Sequence, residues 1–193
     1  MRSIVLASGN KGKLAELSAM LEPLGVNVKA QSEFNVSDAD ETGLSFIENA
    51  ILKARHAASA TGMAALADDS GIAVPALGGA PGIYSARYAG EHGNDGGNIE
   101  LLLKNMADIT DRRAFFYCAI AYVNHADDPT PLIATGAWHG EILTARQGEG
   151  GFGYDPIFFD PELGKSAAEL NRDEKAARSH RGQALRALVA QLR

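Results

Sequence analysis

The chain has 193 residues, 18 Lys and Arg against 24 Asp and Glu, a net charge of −6, and 46% hydrophobic residues, which excludes a disordered tail. Its longest apolar run, 114–123, is half of the ~20 residues a membrane helix needs, and the run 4–7 is too short for a signal peptide, so the chain reads as soluble and cytoplasmic with no membrane partner. The acidic balance counts against a stable nucleic-acid partner, but one local basic cluster would suffice for a nucleotide.

In chain order, residues 2–7 are predicted as a short buried strand, followed by the turn Ser8-Gly9-Asn10. Leu14, Leu17, Leu21 and Leu24 then recur at helical spacing, and Pro23 and Gly25 close that helix. Residues 26–30 read as a second strand, and the polar stretch 31–43 leads into a second helix. There Ser45 and Glu48 fit a capping box, Phe46, Ala50, Lys53 and Ala57 mark successive turns, and Gly62 ends the helix. Residues 63–67 form a short apolar strand that runs into Asp68-Asp69-Ser70-Gly71. The Gly- and Pro-rich stretch 75–97 is predicted as surface loop, after which Ile99, Leu102, Leu103 and Met106 make one apolar helical face. Residues 113–124 and 132–143 read as two long strands, paired antiparallel through the polar connector 125–130. Cys118, the single cysteine, sits in the first of them and reads as a buried, inert thiol. A glycine cluster at 148–153 follows, and Ser179 caps a last helix with Leu185, Leu188, Val189 and Leu192 on one face. Helices alternating with strands, then a long strand pair, predict an α/β fold: a mixed β-sheet flanked by helices. The length suits one large domain or two small lobes, with no boundary legible between lobes.

Five segments could carry chemistry. Ser8-Gly9-Asn10-Lys11-Gly12-Lys13 lies between a strand and a helix, where free N–H groups bind phosphate; an ordinary turn with solvated lysines fits it equally well. Asp68-Asp69, with Glu41 from a separate segment, suits Mg²⁺, although Asp68-Asp69-Ser70-Gly71 alone is most simply a turn. Lys53 shares a helix face with Asn49 and could meet phosphate, or simply be solvated. Gly151-Phe152-Gly153-Tyr154-Asp155-Pro156 joins flexible backbone, two aromatics and a carboxylate, as a base-stacking slot would, or else its aromatics fill the core. Lys175 with Ser179-His180-Arg181-Gly182 places donors at a helix start, where an Arg reads a purine carbonyl well; solvated basic residues are the plain alternative. No His pair has zinc-ligand spacing, and no nucleophile elbow is present.

Taken together and in order, these segments resemble the inosine triphosphate pyrophosphatase (ITPase) family, in its bacterial dITP/XTP branch. The matching stretches are Ser8-Gly9-Asn10-Lys11-Gly12-Lys13, Glu41-Thr42-Gly43 with Phe46 and Glu48-Asn49-Ala50, Ala67-Asp68-Asp69-Ser70-Gly71, Gly79-Ala80-Pro81-Gly82-Ile83-Tyr84-Ser85-Ala86-Arg87, Gly151-Phe152-Gly153-Tyr154-Asp155-Pro156 and Ser179-His180-Arg181-Gly182. The resemblance implies a single ITPase-like domain over 1–193, with two lobes around a substrate cleft, working as a homodimer. It implies Mg²⁺-dependent cleavage of ITP, dITP, XTP and dXTP to monophosphate and pyrophosphate, which keeps these bases out of DNA and RNA. Carried onto this chain, it puts the phosphate segment at Ser8, Gly9, Asn10, Lys11, Gly12 and Lys13, metal ligands at Glu41 and Asp69, and the proton acceptor at Asp69. It puts substrate contacts at Lys53, Ser70, Phe152, Gly153, Tyr154, Asp155, Lys175, His180 and Arg181.

On that footing water attacks the α-phosphorus and pyrophosphate leaves, with positioning and charge neutralisation supplying most of the catalysis. A carboxylate bound directly to a metal is a poor base, so either Asp69 orients water with its second oxygen or Asp68 takes the proton. Donors at His180 and Arg181 suit the acceptor oxygen at position 6 of hypoxanthine and xanthine and leave the adenine amino group mismatched. Guanine shares that oxygen and has to be rejected at position 2. The competing readings are a nucleotide pyrophosphatase of another base preference (Maf-like, for modified pyrimidines), a nucleotide-binding regulator without turnover, and, more distantly, a nucleic-acid-binding module.

Overall fold

A computed structural model of the chain describes residues 2–192. Its helices are α1 (Lys11–Leu21), α2 (Phe46–Thr61), α3 (Asp95–Asn105), α4 (Arg172–Arg178) and α5 (His180–Leu192). Its strands are β1 (Arg2–Leu6), β2 (Val26–Ala30), β3 (Ala65–Ala73), β4 (Arg113–Val123), β5 (Leu132–Ile142), β6 (Phe158–Asp160) and β7 (Lys165–Ser166). They form one seven-stranded sheet in the order β2-β1-β3-β4-β5-β6-β7. β1 runs parallel to β2 and β3, whereas β6 is antiparallel to β5 and β7, so the sheet is mixed. The start of β4 meets the end of β5, Ile142 N–H donating to the Arg112 carbonyl at 2.8 Å, as an antiparallel hairpin requires. No helix among the described residues is long and apolar enough to cross a membrane.

By compactness the chain divides into two units. The first comprises the chain up to Asp69, Cys118–Gly136 and the chain from Gln183. Its core gathers Ile4 and Leu6 of β1, Leu17 and Leu21 of α1, Leu66 of β3, Cys118, Ile120 and Tyr122 of β4, and Leu185 and Leu188 of α5. α2 begins at the expected cap, with Glu48 N–H donating to Ser45 Oγ at 3.1 Å, and ends at Gly62 in the left-handed region. It buries Ala50, Ala54, Ala57 and Ala58, a small-residue face that lets the helix pack closely.

The second unit comprises Ser70–Tyr117 and Ala137–Gly182. Trp138, Phe116 and Phe158 form its aromatic centre, with Phe158 at 4.6 Å from Phe116 and 5.0 Å from Trp138 between ring centroids. Ile99, Leu102 and Met106 of the α3 region bury against the same core.

Three local expectations change. β3 extends to Ala73, so Asp68, Asp69, Ser70 and Gly71 lie within a strand rather than in a turn after one. The burial of Ile72, Ala73 and Val74 beyond them carries the polar residues into the sheet. The stretch 75–97 is not all loop: it contains 3-10 turns at Pro75–Leu77 and Gly82–Arg87, and Asp95 opens α3. The short helix α4 precedes the expected last helix and has no apolar face for periodicity to reveal.

Candidate active site

Two clusters hold the residues singled out in the sequence, one in each unit. In the first unit β1 delivers the chain to Ser8, whose Oγ accepts from Asn10 N–H at 3.1 Å. Asn10 caps α1, its Oδ1 accepting from Lys13 N–H at 3.0 Å. The N–H groups of Lys11 and Gly12 have no intrahelical acceptor, so they and the helix dipole favour an anion at this end. A Cβ at Gly12 would lie 3.3 Å from Asn10 Oδ1, tight against the cap. Lys11 is exposed, while Lys13 turns inward and its ammonium meets Asp68 Oδ2 at 2.6 Å. Gly9 is also exposed.

Glu41 stands on the segment before α2, which the first turn of that helix holds in place. Gly43 N–H donates to Asn49 Oδ1 at 2.8 Å, and Leu44 N–H to Glu48 Oε2 at 3.2 Å. A Cβ at Gly43 would come within 2.7 Å of both Asn49 Oδ1 and Glu48 Cβ, so only glycine fits that approach. One turn on, Lys53 places Nζ 3.4 Å from Glu41 Oε1 and 3.3 Å from Asp69 Oδ1. Burial alone would lower the Lys53 pKa, but Asp69, Glu41 and Asp68 together raise it, and the ammonium stays charged. Asp69 goes the same way for the opposite reason: burial raises its carboxyl and outweighs the pull of Lys53, with Glu41 adding to the rise. Asp69 Oδ2 is buried with no hydrogen-bond partner.

These groups fit a hard divalent cation shared with a ligand. A lysine ammonium already occupies the space between Glu41 and Asp69, showing that a positive charge belongs there. The orphaned Asp69 oxygen leaves a lone pair open to water or a ligand. Among the described residues no group of three or more His, Cys, Asp or Glu gathers to hold a metal unaided. Two carboxylates are what a cation such as Mg²⁺ takes from protein when phosphate oxygens and water complete its shell.

In the second unit Ser70 is half-buried in β3. The glycine-rich segment then presents Phe152 with 74% of its surface exposed. Gly151 (φ +73°) and Gly153 (φ +58°) adopt left-handed backbone on either side. Gly153 N–H donates to Asp95 Oδ2, and Phe152 N–H to Asp155 Oδ2, each at 2.9 Å. The same Asp155 oxygen pairs closely with the Lys175 ammonium, which lies 4.5 Å over the Phe152 ring. Tyr154 differs from its neighbour: it is buried and its hydroxyl donates to the Ser85 carbonyl at 2.7 Å, so its ring is core rather than a stacking face. Ser179 Oγ accepts from Gly182 N–H at 3.0 Å and caps α5. His180 is half-buried and stacks on Phe116 at 4.9 Å between centroids, and Arg181 follows in the first turn.

The structure thus gathers Lys13, Glu41, Lys53, Asp68 and Asp69 into one charged cluster, and Phe152, Asp155 and Lys175 into another. Reasoning from the sequence missed the supports: Asn49 and Glu48 fastening the Glu41 segment, Asp68 engaging Lys13, and Phe116 backing His180. A glycine two residues after Glu41, directly before a capping box, was a usable signal for the first. The ion pair spans 55 positions and left no local trace.

The Ham1 family model matches residues 4–191. A dITP/XTP pyrophosphatase of Pectobacterium atrosepticum is 59% identical over 195 residues, covering 100% of this chain and 99% of the relative. A protein of the same name from Escherichia coli K12 is 57% identical with the same coverage. Among solved structures, a HAM1 protein from Coxiella burnetii superposes with a TM-score of 0.97 at 51% identity, covering 100% of this chain and 98% of that one. A nucleoside-triphosphatase, dITP/XTP pyrophosphatase, from Mycobacterium abscessus gives 0.84 at 44% identity, covering 99% and 100%. Full-length similarity in both sequence and fold places the chain in the Ham1 family, the ITPase family whose motifs it carries.

Proposed function

We propose that this chain is a nucleoside triphosphate pyrophosphatase for deaminated purine nucleotides. It hydrolyses ITP, dITP, XTP and dXTP to the monophosphate and pyrophosphate, removing them before they enter DNA or RNA. The observation that carries the reading is the Lys53 ammonium held between Glu41 and Asp69, with a buried Asp69 oxygen left over. The names borne by relatives at 57–59% identity supply the substrate class.

In this reading the first unit handles phosphate. Ser8, Gly9 and Asn10 shape the loop, the N–H groups of Lys11 and Gly12 face the phosphate oxygens, and Lys13 and Lys53 neutralise their charge. Glu41 and Asp69 are the residues that would hold Mg²⁺, which when bound neutralises phosphate charge and lowers the pKa of water. Asp69 is the better proton acceptor of the acidic pair, because Asp68 is held by Lys13 at 2.6 Å, whereas Asp69 meets Lys53 through Oδ1 and keeps Oδ2, which has no hydrogen-bond partner, to face water. The second unit handles the base: Phe152 supplies an exposed ring for stacking, Lys175, His180 and Arg181 supply donors, Asp155 and Gly153 set the loop, Tyr154 anchors it, and Ser70 lines the approach. Donors select the acceptor oxygen at position 6 and disfavour adenine. A cytoplasmic homodimer without nucleic-acid or membrane partners completes the proposal, supported by the acidic charge of −6 and by the family resemblance.

Hydrolysis of ITP in ¹⁸O-labelled water tests the reaction. One pyrophosphate per turnover, with the label in IMP, is expected. Stepwise release of inorganic phosphate, or label in pyrophosphate, would contradict attack at the α-phosphorus.

A further inference from the structure

α4 is an unusual element to entrust with function. It has seven residues, Arg-Asp-Glu-Lys-Ala-Ala-Arg, and none of them is buried. A helix that short does not hold itself together in water, and without an apolar face it gains little from packing. Yet it carries Lys175 and runs directly into Ser179, His180 and Arg181. Its position has to come from polar tethers.

Asn171 and Glu174 close the helix start, Asn171 Oδ1 accepting from Glu174 N–H at 2.8 Å and Asn171 N–H donating to Glu174 Oε2 at 2.9 Å. The exposed Lys165–Glu174 pair at 3.3 Å adds little. Two stronger links remain, three residues apart on the helix and therefore on one side of it. Lys175 reaches Asp155, just before β6, and Arg178 reaches Asp160, the last residue of β6, with a second, solvent-exposed pair to Glu162 at 2.7 Å. Asp160 is fully enclosed. Its carboxylate accepts from Trp138 Nε1 at 2.8 Å, from Arg178 Nε at 3.0 Å and Nη2 at 3.3 Å, and from Glu162 and Leu163 N–H at 2.9 and 3.3 Å. A carboxylate held from the aromatic core and the chain on one side presents a fixed fork to a planar guanidinium on the other.

We propose that Asp160, acting through Arg178, is a positioning residue for base recognition: the pair fixes α4 on β6 so that Lys175 lies over Phe152 and Ser179, His180 and Arg181 keep their places. This rests on the reading that the second unit holds the base, and it assigns to a buried ion pair a task distinct from contact with substrate. Losing the clamp loosens the base end and leaves the phosphate end untouched.

Arg178→Gln is the chief test, since Arg178 is only half-buried, its exposed pair with Glu162 contributes little, and Asp160 keeps its Trp138 and backbone donors without it. Asp160→Asn, which keeps the acceptor for Trp138, is the second. On full-length protein with wild-type circular dichroism, Arg178→Gln is expected to raise KM for the preferred nucleotide about tenfold or more, as misplacement of binding groups does. kcat should stay within about twofold. The Ki of inorganic tripolyphosphate, which has no base, should not change, and Arg178→Lys should recover part of the KM. An unchanged KM, or a tripolyphosphate Ki that rises by the same factor, overturns the proposal. If the wild type prefers a nucleotide with another base, the deaminated-purine reading fails while the same comparison, made on that nucleotide, still decides the role of Asp160.

Discussion

Replacing Lys53 with methionine isolates the electrostatics of the charged cluster. The side chain keeps its unbranched shape out to Cε and loses the charged terminal nitrogen, leaving Glu41 and Asp69 facing each other without the ammonium now 3.4 and 3.3 Å away. At an effective dielectric constant of about 20, each contact is worth roughly 5 kcal/mol before desolvation. Desolvation takes back much of that, and deleting one partner of a buried pair typically costs ~3–5 kcal/mol. Glu41 keeps 32% of its side chain exposed, so solvent screening brings the expected cost to the bottom of that range or below it, about 2–3 kcal/mol. For a chain of this length each kcal/mol is ~2–4 °C, so Tm should fall by about 4–12 °C in metal-free buffer. Thermal unfolding followed by circular dichroism, with EDTA and with millimolar Mg²⁺, gives the result. Added Mg²⁺ should raise the Tm of Lys53→Met more than that of the wild type, because the two carboxylates have lost their own cation. A variant that melts with the wild type in EDTA, or equal Mg²⁺ shifts for both, would refute the reasoning.

Further variants probe the rest. Gly43→Ala drives a Cβ to within 2.7 Å of Asn49 and Glu48, an overpacking of ~1–3 kcal/mol, and should lower kcat by displacing Glu41; a wild-type kcat would show that the approach is not needed. Phe152→Ala removes a ring that is 74% exposed, so Tm should hold while KM for the nucleotide rises about 5- to 150-fold, the equivalent of ~1–3 kcal/mol of stacking; an unchanged KM would refute the stacking role. Asp68→Asn should weaken Lys13 and raise KM while preserving most of kcat, and a collapse as deep as that of Asp69→Asn would move the proton acceptor to Asp68. Burial pushes the Asp160 carboxyl up, but Trp138 and Arg178 outweigh it and hold it below the ordinary carboxylate range. Its folded pKa is depressed, so its stabilisation is complete above about pH 4 and fades as pH falls below that. Tm measured from pH 5 to pH 2 should therefore fall less steeply in Asp160→Asn, and parallel slopes would refute the assignment.

What the sequence discloses depends on the range of the interactions involved. The Ser45–Glu48 cap spans three residues, and Gly62 needs only its own backbone, so α2 was legible end to end. The apolar spacing of Leu17 and Leu21 likewise announced α1. Asp68-Asp69-Ser70-Gly71 shows the opposite case: local preference favours a turn, and the burial of Ile72 beyond it and the pairing of Asp68 with Lys13 decide for a strand. α4 escaped notice because its stability comes from Asp155 and Asp160, 20 and 18 positions upstream of the residues they hold. For the site, residue chemistry suggested phosphate, metal and base segments one at a time, each with an ordinary alternative. Their assembly came from the family resemblance and their supports from the fold. The two aromatics of 152–154 illustrate the remainder, since nothing in the order Phe-Gly-Tyr says that the first is exposed and the second is core.

The central claim is that donors in the second unit choose the base while the charged cluster of the first drives cleavage. Pyrophosphate release from ITP, XTP, GTP, ATP and CTP, each with Mg²⁺ and with EDTA, tests it most directly. Rapid, EDTA-sensitive release from ITP and XTP, with little from the other three, is the predicted result. Comparable release from GTP or ATP would contradict base selection, and release that persists in EDTA would contradict the role given to Glu41 and Asp69.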